Sequence, residues 1–472
     1  MEIRSMHFKA RASEKMADVV LQQNLRKTKA KFVGKRAHAI AELDAINDFA
    51  ALRDAAQALR DRVINNLDLW LERFEAEATR RGATVLWARD GDEVCRLTVD
   101  IARRHGVSKA IKSKSMLSEE AALNRALEAA GIQPVETDLG EYILQINGNE
   151  PPSHIVAPVL HKSKEEVSAL FARTHHRPAK TDIQAMAREA REVLRPHFLF
   201  ADMGISGGNF LVAETGSVAL VTNEGNGRMV TTLPRVHVAI TGIEKVVPTL
   251  EDLATLMRLL PRSATGQSIS NYFSVLTGTK GAGESDGPEH MYFILVDNGR
   301  ADLVASEYAE MLRCIRCGAC MNHCPVYQTV GGHAYGWVYP GPMGSVLTPL
   351  FNGLDKALDL PQASTFCNQC SVVCPVGIPL PDLLRKLREQ QVEQHLRPLG
   401  ERLVLKLWAW MACHPALYGL AARLGARYLK WLAGDEKAIR VFGLVPEWTH
   451  GRDLPAPQGR TFRELYAKRE RR

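Results

Sequence analysis

Long apolar runs are the first feature that this sequence lacks. Its most apolar stretch, residues 403–429, is interrupted by Lys406, His414, Pro415 and Arg423, so it contains no run of about 18 apolar residues that could cross a membrane. The first twenty residues have no apolar core of the length that a secretory signal requires. We therefore predict a cytoplasmic protein, with at most peripheral membrane contact or membrane association through partners.

The chain also lacks a strong charge excess and the usual nucleotide-binding fingerprints. Lys and Arg number 60 and Asp and Glu 53, a net charge of +7 over 472 residues, which fits a solvated surface better than a nucleic-acid interface. The segment GISGGN at 204–209 is not G-x-G-x-x-G, and GTKGAGE at 278–284 lacks the Lys-Ser/Thr pair of a P-loop. We therefore predict no nucleic-acid partner and find no motif for a flavin or nicotinamide cofactor.

Cysteine is scarce except in one segment. Seven of the nine cysteines lie between residues 314 and 374, and Cys95 and Cys413 stand alone. Such clustering, in a chain without a secretory signal, favours a metal site over a disulfide framework. We interpret Cys413 as a buried structural cysteine, with a role as a distant metal ligand as the alternative.

The clustered cysteines follow the spacing of bacterial ferredoxins. Cys314, Cys317, Cys320 and Cys324, followed by Pro325, give C-x2-C-x2-C-x3-C-P, the run that binds [4Fe–4S] clusters. A zinc ribbon would need only two C-x2-C pairs, so a third and a fourth cysteine in this spacing, followed by proline, favour an iron–sulfur cluster over zinc. A second copy of the motif, ending at Pro375, has Ser364 where its first cysteine would stand.

Paired motifs of this kind exchange their fourth cysteine between clusters. The first cluster, a [4Fe–4S] centre, would then be bound by Cys314, Cys317, Cys320 and Cys374. The second would be bound by Cys324, Cys367 and Cys370. Because a fourth thiolate is missing there, the second cluster is either [3Fe–4S] or [4Fe–4S] with an unidentified fourth ligand.

Hydrophobic patterning divides the chain into four stretches. Leu52, Ala56, Leu59, Val63, Leu67 and Leu71 recur at helical intervals in an N-terminal helical segment, residues 1–75. In the next stretch, strand-like runs at 83–88, 109–115, 133–139 and 154–158 alternate with helix-like runs at 92–106 and 118–131, and strand-rich segments follow at 209–226, 235–248 and 291–299. Alternation of this kind predicts an α/β domain with a mainly parallel sheet. The predicted boundaries are 76–300 for the α/β domain, 301–390 for a ferredoxin-like two-cluster domain that a helix at 297–313 leads into, and 391–472 for a helical C-terminal region with a Pro/Gly-rich tail.

The α/β stretch also holds acids, bases and cations among glycines. Arg228 would suit a substrate carboxylate because its planar guanidinium can bind both oxygens. His333, between the cysteine motifs, is a metal ligand, a proton carrier or simply a loop hydrogen bonder. The other candidates, each of which could equally form surface ion pairs or stabilise turns, are Lys112, Lys114, Glu136, Asp138, Glu141, His161, Glu214, Glu224 and Asn226.

Several ordered motifs resemble one known family. KSKSMLSEE, ETDLGEYILQ, HIVAPVLHKSKEEV, GISGGNFLVAETGS, TNEGNGR, GIEKVVP and DNGR precede LRCIRCGACMNHCPVY, GGHAYGWVYPGPMG and CNQCSVVCPVGI. Together they closely resemble the lactate-utilisation protein B family from about residue 70 to 465. The resemblance implies a sheet domain akin to the sugar-phosphate isomerase and CoA-transferase folds. It also implies L-lactate oxidation to pyruvate together with a second cysteine-rich redox protein and a protein with a related α/β domain. The three-cysteine second motif looks like the family's own pattern.

Three functions are compatible with these features. The leading hypothesis is an iron–sulfur electron-transfer subunit of a lactate-oxidising complex, with an unknown electron acceptor. The alternative is that the α/β domain itself acts on a small 2-hydroxy acid or a related anion. A remote third hypothesis is an iron–sulfur protein that senses or binds nucleic acid, which would require strongly salt-dependent binding.

Overall fold

The computed structural model describes residues 3–45, 48–270, 272–443, 449 and 452–469. The chain forms two compact units, Met1–Gln390 and Gln391–Arg472. The helices are α1 Phe8–Ala17, α2 Val19–Asp44, α3 Phe49–Ile64, α4 Leu67–Arg80, α5 Gly91–Arg104, α6 Met116–Glu120, α7 Leu123–Ala129, α8 Leu139–Ile146, α9 Lys164–His175, α10 Ile183–Leu199, α11 Asn226–Thr232, α12 Leu250–Ala264, α13 Arg300–Val304, α14 Ala319–His323, α15 Tyr327–Val330, α16 Gly341–Asn352, α17 Gln369–Val372, α18 Leu380–Glu393, α19 Leu399–Ala412, α20 Pro415–Ala433 and α21 Phe462–Ala467. The strands are β1 Ala83–Ala88, β2 Lys109–Lys112, β3 Gln133–Glu136, β4 Met203–Ser206, β5 Phe210–Val212, β6 Ser217–Thr222, β7 Val236–Gly242, β8 Val246–Val247, β9 Tyr272–Thr277, β10 His290–Val296, β11 Ala438–Ile439 and β12 Leu454–Pro455.

The first unit is built on a six-stranded parallel sheet in the order β1-β10-β7-β4-β2-β3. Strands β7 and β10 are almost entirely buried, as expected for a parallel sheet covered by helices on both faces. The prediction of a mainly parallel α/β domain, followed by the cysteine module and a helical C-terminal region, is confirmed. Helices α3 and α4 bury Leu52, Ala56, Leu59, Val63, Leu67 and Leu71 as the sequence predicts, with a break between them.

A second, smaller sheet accounts for the strand-rich part of the sequence. Its order is β8-β5-β6-β9, and it is antiparallel except between β5 and β8. The β5–β6 turn needs Gly216, which has a φ of +63° and lies so close to α4 that a Cβ would come within 2.2 Å of the Ala78 backbone nitrogen. This sheet therefore packs directly against the N-terminal helices.

The prediction of a strand at 154–158 is wrong, because a histidine takes the backbone donors that a strand would need. The N–H groups of Val156 and Ala157 donate to His154 Nδ1 at 3.0 and 3.1 Å, and His154 Nε2 bonds Asn322 Oδ1 at 2.9 Å. Burial lowers the pKa of His154 to about 4, so the ring is neutral. The segment is a loop that connects the α/β domain with the cysteine module.

Two predicted helices are shorter than expected. The helix at 118–131 is broken at Ala122, which has a φ of +56°, and the break brings Asn124 Oδ1 to 2.5 Å from Lys112 Nζ. The helix at 297–313 ends at Val304 and resumes as a 3-10 turn, Ala309–Arg313. There the Ser306 hydroxyl donates to the Leu303 carbonyl and accepts from the Tyr308 N–H, and so competes with helical bonding.

The second unit contains the helices α19 and α20, which pack against each other, a short antiparallel pair β11–β12, and α21. No residue of α19 is buried. Cys413 is exposed, so its interpretation as a buried structural cysteine is wrong. Part of the predicted Pro/Gly-rich tail, residues 445–448, 450 and 451, lies outside the described residues. Among the described residues, no helix combines the length and the apolar character needed to cross a membrane.

Acid should destabilise the parallel sheet through His237. This side chain is buried in β7 with Nε2 bonded to Ser206 Oγ at 2.8 Å, and burial lowers its pKa from 6.5 to about 4. The unfolded chain binds more protons than the native one between these values, so stability falls as pH drops from 6.5 through 4, by about 1.4 kcal/mol per pH unit. Urea unfolding at several pH values should show a slope at least this steep, because buried His154 contributes in the same direction, and a shallower slope in His237→Gln. An equal slope in the variant would contradict the prediction, and exposed His38→Gln is the control.

Candidate iron–sulfur site and adjoining cavity

Four cysteines from the two motifs line one cavity: Cys314, Cys317, Cys320 and Cys374. Gly318, with a φ of +79°, turns the chain between the second and third of them. Burial, and then the neighbouring Cys374, raises the pKa of Cys317 to about 12. Thiols packed together in this way ionise only when a cation joins them, so their chemistry suits an iron–sulfur centre.

The other three cysteines form a second group. Cys324 and Cys370 are buried and Cys367 is exposed. Burial and the proximity of Cys324 raise the pKa of Cys370 to about 12, and Cys367 also acts on both. The structure thus brings Cys314, Cys317, Cys320 and Cys374 together and places Cys324, Cys367 and Cys370 near one another. Which cysteines bind which cluster stays a prediction. Ser364 stands where the second motif lacks its first cysteine. Its hydroxyl accepts a hydrogen bond from the Phe366 N–H at 3.1 Å and stabilises its own turn.

Tyr335 lies near cysteines of both groups. It is fully buried, its hydroxyl has no hydrogen-bond partner, and its pKa is raised by burial and then by Cys324. Cys320 and Cys370 act on it as well. A bound cluster would supply sulfide or thiolate acceptors for this hydroxyl, so the unpartnered Tyr335 hydroxyl, like the packed cysteines, fits a bound iron–sulfur cluster.

Three cationic side chains donate hydrogen bonds to backbone carbonyls at or next to the cysteines of the first group. Arg53 Nε donates to Cys374 O at 2.8 Å, Arg36 Nη2 to Val373 O at 2.9 Å, and Lys245 Nζ to Cys314 O at 2.8 Å. Arg316 and Arg60 also act on Cys314 electrostatically. A cluster held by four thiolates carries net negative charge, which these cations offset.

A cavity of about 520 Å³ lies beside this group at the carboxyl ends of β2, β4 and β7. Parallel α/β sheets bind their ligands at this edge. Of the residues predicted from the sequence, Lys114, Asp138, Glu224 and Asn226 line the cavity.

Three more of the predicted residues form a buried ionic network next to the cavity. Lys112 Nζ is 2.6 Å from Glu136, and Lys114 Nζ is 3.1 Å from Glu141. Burial lowers the pKa of Lys112, but Glu136 and Glu119 outweigh that effect and raise it above its usual value. Lys112 is therefore a structural cation.

The remaining candidates lie away from the cavity lining. Glu214 accepts the Leu250 N–H at the start of α12. Arg228 is exposed, with its guanidinium over the Tyr272 ring, so the carboxylate role predicted for it has no support in the structure. His161 bonds Glu150 at 3.0 Å, and His333 bonds the Pro151 carbonyl at 2.8 Å. One ligand atom each of Glu150, His161 and His333 lies within 4.8 Å of the others, so the metal-ligand role of His333 stays a prediction beside loop hydrogen bonding.

Four residues of the cavity wall were missed by the sequence analysis: Glu244, Lys245, Arg300 and Arg316. Burial raises the pKa of Glu244, but Arg300, followed by Lys245 and Arg316, brings it down to about 2. All four lie within the motifs GIEKVVP, DNGR and LRCIRCGACMNHCPVY, which were the only signals for them in the sequence.

An α/β domain with a parallel sheet, joined to a module that gathers seven cysteines, defines a class of iron–sulfur protein. Family models agree: a LUD domain matches residues 71–296, a 4Fe-4S dicluster domain 310–378, and the C-terminal domain of lactate utilisation protein B 384–471. The chain belongs to the lactate utilization protein B family, as its motifs predict. The prediction of an iron–sulfur protein is confirmed as well.

Similar relatives cover essentially the whole chain. Lactate utilization protein B of Bacillus licheniformis is 41% identical over 473 residues, covering 100% of this chain and 98% of the relative. That of Bacillus subtilis is 41% identical over 471 residues, with the same coverage. An Escherichia coli protein described as an uncharacterized electron transport protein, YkgF, is 40% identical over 464 residues, covering 98% of this chain and 97% of the relative.

Proposed function

We propose that this chain is the iron–sulfur electron-transfer subunit of a multi-protein complex that oxidises L-lactate to pyruvate. The observation that supports this function best is the pair of adjacent cysteine groups in a chain of the lactate utilization protein B family. Cys314, Cys317, Cys320 and Cys374 would bind the first cluster. Cys324, Cys367 and Cys370 would bind the second.

Two clusters suit this reaction because of its electron count. Conversion of a 2-hydroxy acid to a 2-oxo acid releases two electrons and two protons, and iron–sulfur clusters transfer electrons singly. The protein positions the cysteines, buries Cys317 and Cys374 of the first group and surrounds that group with cations. The exposure of Cys367 brings the second group close to the surface, where a partner could exchange electrons with it.

The partners in this proposal are a second cysteine-rich redox protein and a protein with a related α/β domain. Helices α19 and α20 expose large apolar side chains, among them Val404, Leu407, Trp408, Leu424 and Trp431, and exposed apolar surface of this extent marks an interaction site. Co-purification of the co-expressed subunits should be lost on replacing Leu407 and Trp408 with glutamine. Co-purification that persists would exclude this surface as the docking site.

An iron and sulfide count, with electron paramagnetic resonance of the oxidised and reduced protein, tests the proposal. About eight irons and signals only after reduction would mean two [4Fe–4S] clusters, and about seven with a signal in the oxidised protein would mean a [3Fe–4S] second cluster. Zinc in place of iron would refute the redox function.

Removing a cation near the first cluster should make that cluster harder to reduce. For Arg53→Gln we expect the reduction potential of the first cluster to fall by roughly 50 mV. The reason is that a unit positive charge close to the cluster favours its reduction by on the order of 1 kcal/mol. Potentiometric titration followed by paramagnetic resonance measures the shift. Arg62→Gln, on the same helix but paired with Asp252 at the surface, is the control. An unchanged potential in Arg53→Gln would contradict the role of the cations.

A further inference from the structure

The 520 Å³ cavity and the first cysteine group share a wall. Ile315 and Arg316, which lie between Cys314 and Cys317 in the sequence, line both cavities. Lys245 also lines the larger cavity and donates to the Cys314 carbonyl at 2.8 Å. A molecule in the larger cavity would therefore be separated from the first cluster by a single loop.

This shared wall is cationic, and its cations are incompletely paired. Arg300 is held by Glu120, with nitrogen–oxygen distances of 3.1 Å to both carboxylate oxygens, and by Glu244 at 2.8 Å. Arg316 and Lys245 lie 3.6 and 3.9 Å from Glu244, beyond hydrogen-bonding distance. Arg316 otherwise stacks on Tyr339, and Lys245 has donors left after its bond to Cys314. One glutamate thus faces Arg316 and Lys245, and both side chains keep N–H donors that can bind another anion.

Polar atoms elsewhere in the lining also lack partners. Thr241 Oγ1, at the end of β7, and Asn226 Oδ1, at the start of α11, are buried without a hydrogen bond. Glycine keeps the space around Thr241 open, since a Cβ on Gly208 would come within 2.5 Å of Thr241 Oγ1. Buried polar atoms of this kind need a ligand or water to satisfy them.

We propose that this cavity is the binding site for the organic acid, a small 2-hydroxy or 2-oxo carboxylate. Arg316 and Lys245 bind its carboxylate. The hydroxyl of a 2-hydroxy acid donates to Asn226 Oδ1 and accepts from Thr241 Oγ1, whereas the carbonyl of a 2-oxo acid accepts from Thr241 Oγ1 alone. This inference rests on the proposed function and locates the substrate class of the complex within this subunit. Since the cavity is larger than a three-carbon acid, 2-hydroxy acids with longer side chains should also bind.

Anaerobic calorimetry on the full-length, cluster-loaded protein tests this site. We expect L-lactate and pyruvate to bind, the uncharged lactamide not to bind, and propionate, which lacks the hydroxyl, to bind more weakly than lactate. Arg316→Met should weaken lactate binding by about tenfold or more, as loss of a charge-assisted hydrogen bond predicts. Arg316→Lys should retain part of the affinity. Arg228→Met, an exposed arginine of the same domain, is the matched control and should bind as the wild type does.

Iron content and reduction potential, measured on the same samples, separate the outcomes. If Arg316→Met shifts only the potential and binds lactate normally, the cations serve the cluster alone and the inference is wrong. If Arg316→Met loses iron, the binding test moves to Thr241→Val, because Thr241 lies outside the cysteine loop. Normal lactate affinity of Thr241→Val would then refute the proposed binding site. Absence of lactate and pyruvate binding to a wild-type protein with full iron content refutes this inference but leaves the electron-transfer function intact. Zinc in place of iron refutes that function instead.

Discussion

Replacement of Cys317 by serine should remove the first cluster and abolish growth on L-lactate. Cys317 is buried in the first cysteine group, beside Cys374 and Cys314, and serine cannot supply the thiolate that it contributes. The iron content should fall by about four per chain. Growth on other carbon sources should be unaffected, because only lactate oxidation depends on the proposed relay.

The control for this variant is Cys413→Ser, which replaces an exposed cysteine outside both groups. It should retain its iron and support growth on lactate. Normal growth of Cys317→Ser on lactate would refute an essential relay role. Loss of iron together with normal growth would show that the cluster is structural or dispensable.

Replacement of Lys112 by methionine should destabilise the α/β domain by about 3–5 kcal/mol, because it leaves a buried carboxylate without its cation. Lys112 is completely buried, 2.6 Å from Glu136 and 3.8 Å from Glu119. Anaerobic urea unfolding measures the loss. Lys280→Met, which breaks a surface pair with Glu289, should cost less than about 1 kcal/mol.

A double variant distinguishes charge from packing at this position. In Lys112→Met combined with Glu136→Gln the carboxylate nearest to Lys112 is replaced by a neutral amide, so part of the lost stability should return. A loss of under 1 kcal/mol in the single variant would mean that water or Asn124 compensates the carboxylate. No recovery in the double variant would assign the effect to packing.

Strand positions and the grouping of the first four cysteines could be predicted, because hydrophobic runs and motif spacing are visible in short stretches of sequence. β1 coincides with the apolar run at 83–88, and the spacing of the two motifs predicts that Cys314, Cys317, Cys320 and Cys374 lie together, as they do in one cavity. Local patterns failed where a side chain from the same segment takes the backbone hydrogen bonds. His154 does so in the predicted strand at 154–158, and Ser306 does so in the predicted helix at 297–313.

The cavity wall could not be predicted, because its residues meet only through the fold. Glu244, Arg300 and Arg316 are far apart in sequence and converge at one edge of the sheet. Arg228 carried the right chemistry, but its helix directs it to solvent. Choosing among arginines therefore requires knowledge of which strand ends lie side by side.

The bond between Arg53 and the Cys374 carbonyl joins residues 321 positions apart. A ribosome adding about 5–20 residues per second needs roughly 15–60 s to travel from one to the other. The arginine helix therefore leaves the exit tunnel long before the last cysteine of the first group has been made. Iron and sulfide can reach the full first group only after Cys374 has been synthesised. Metal loading is therefore one of the last steps in the biogenesis of the protein.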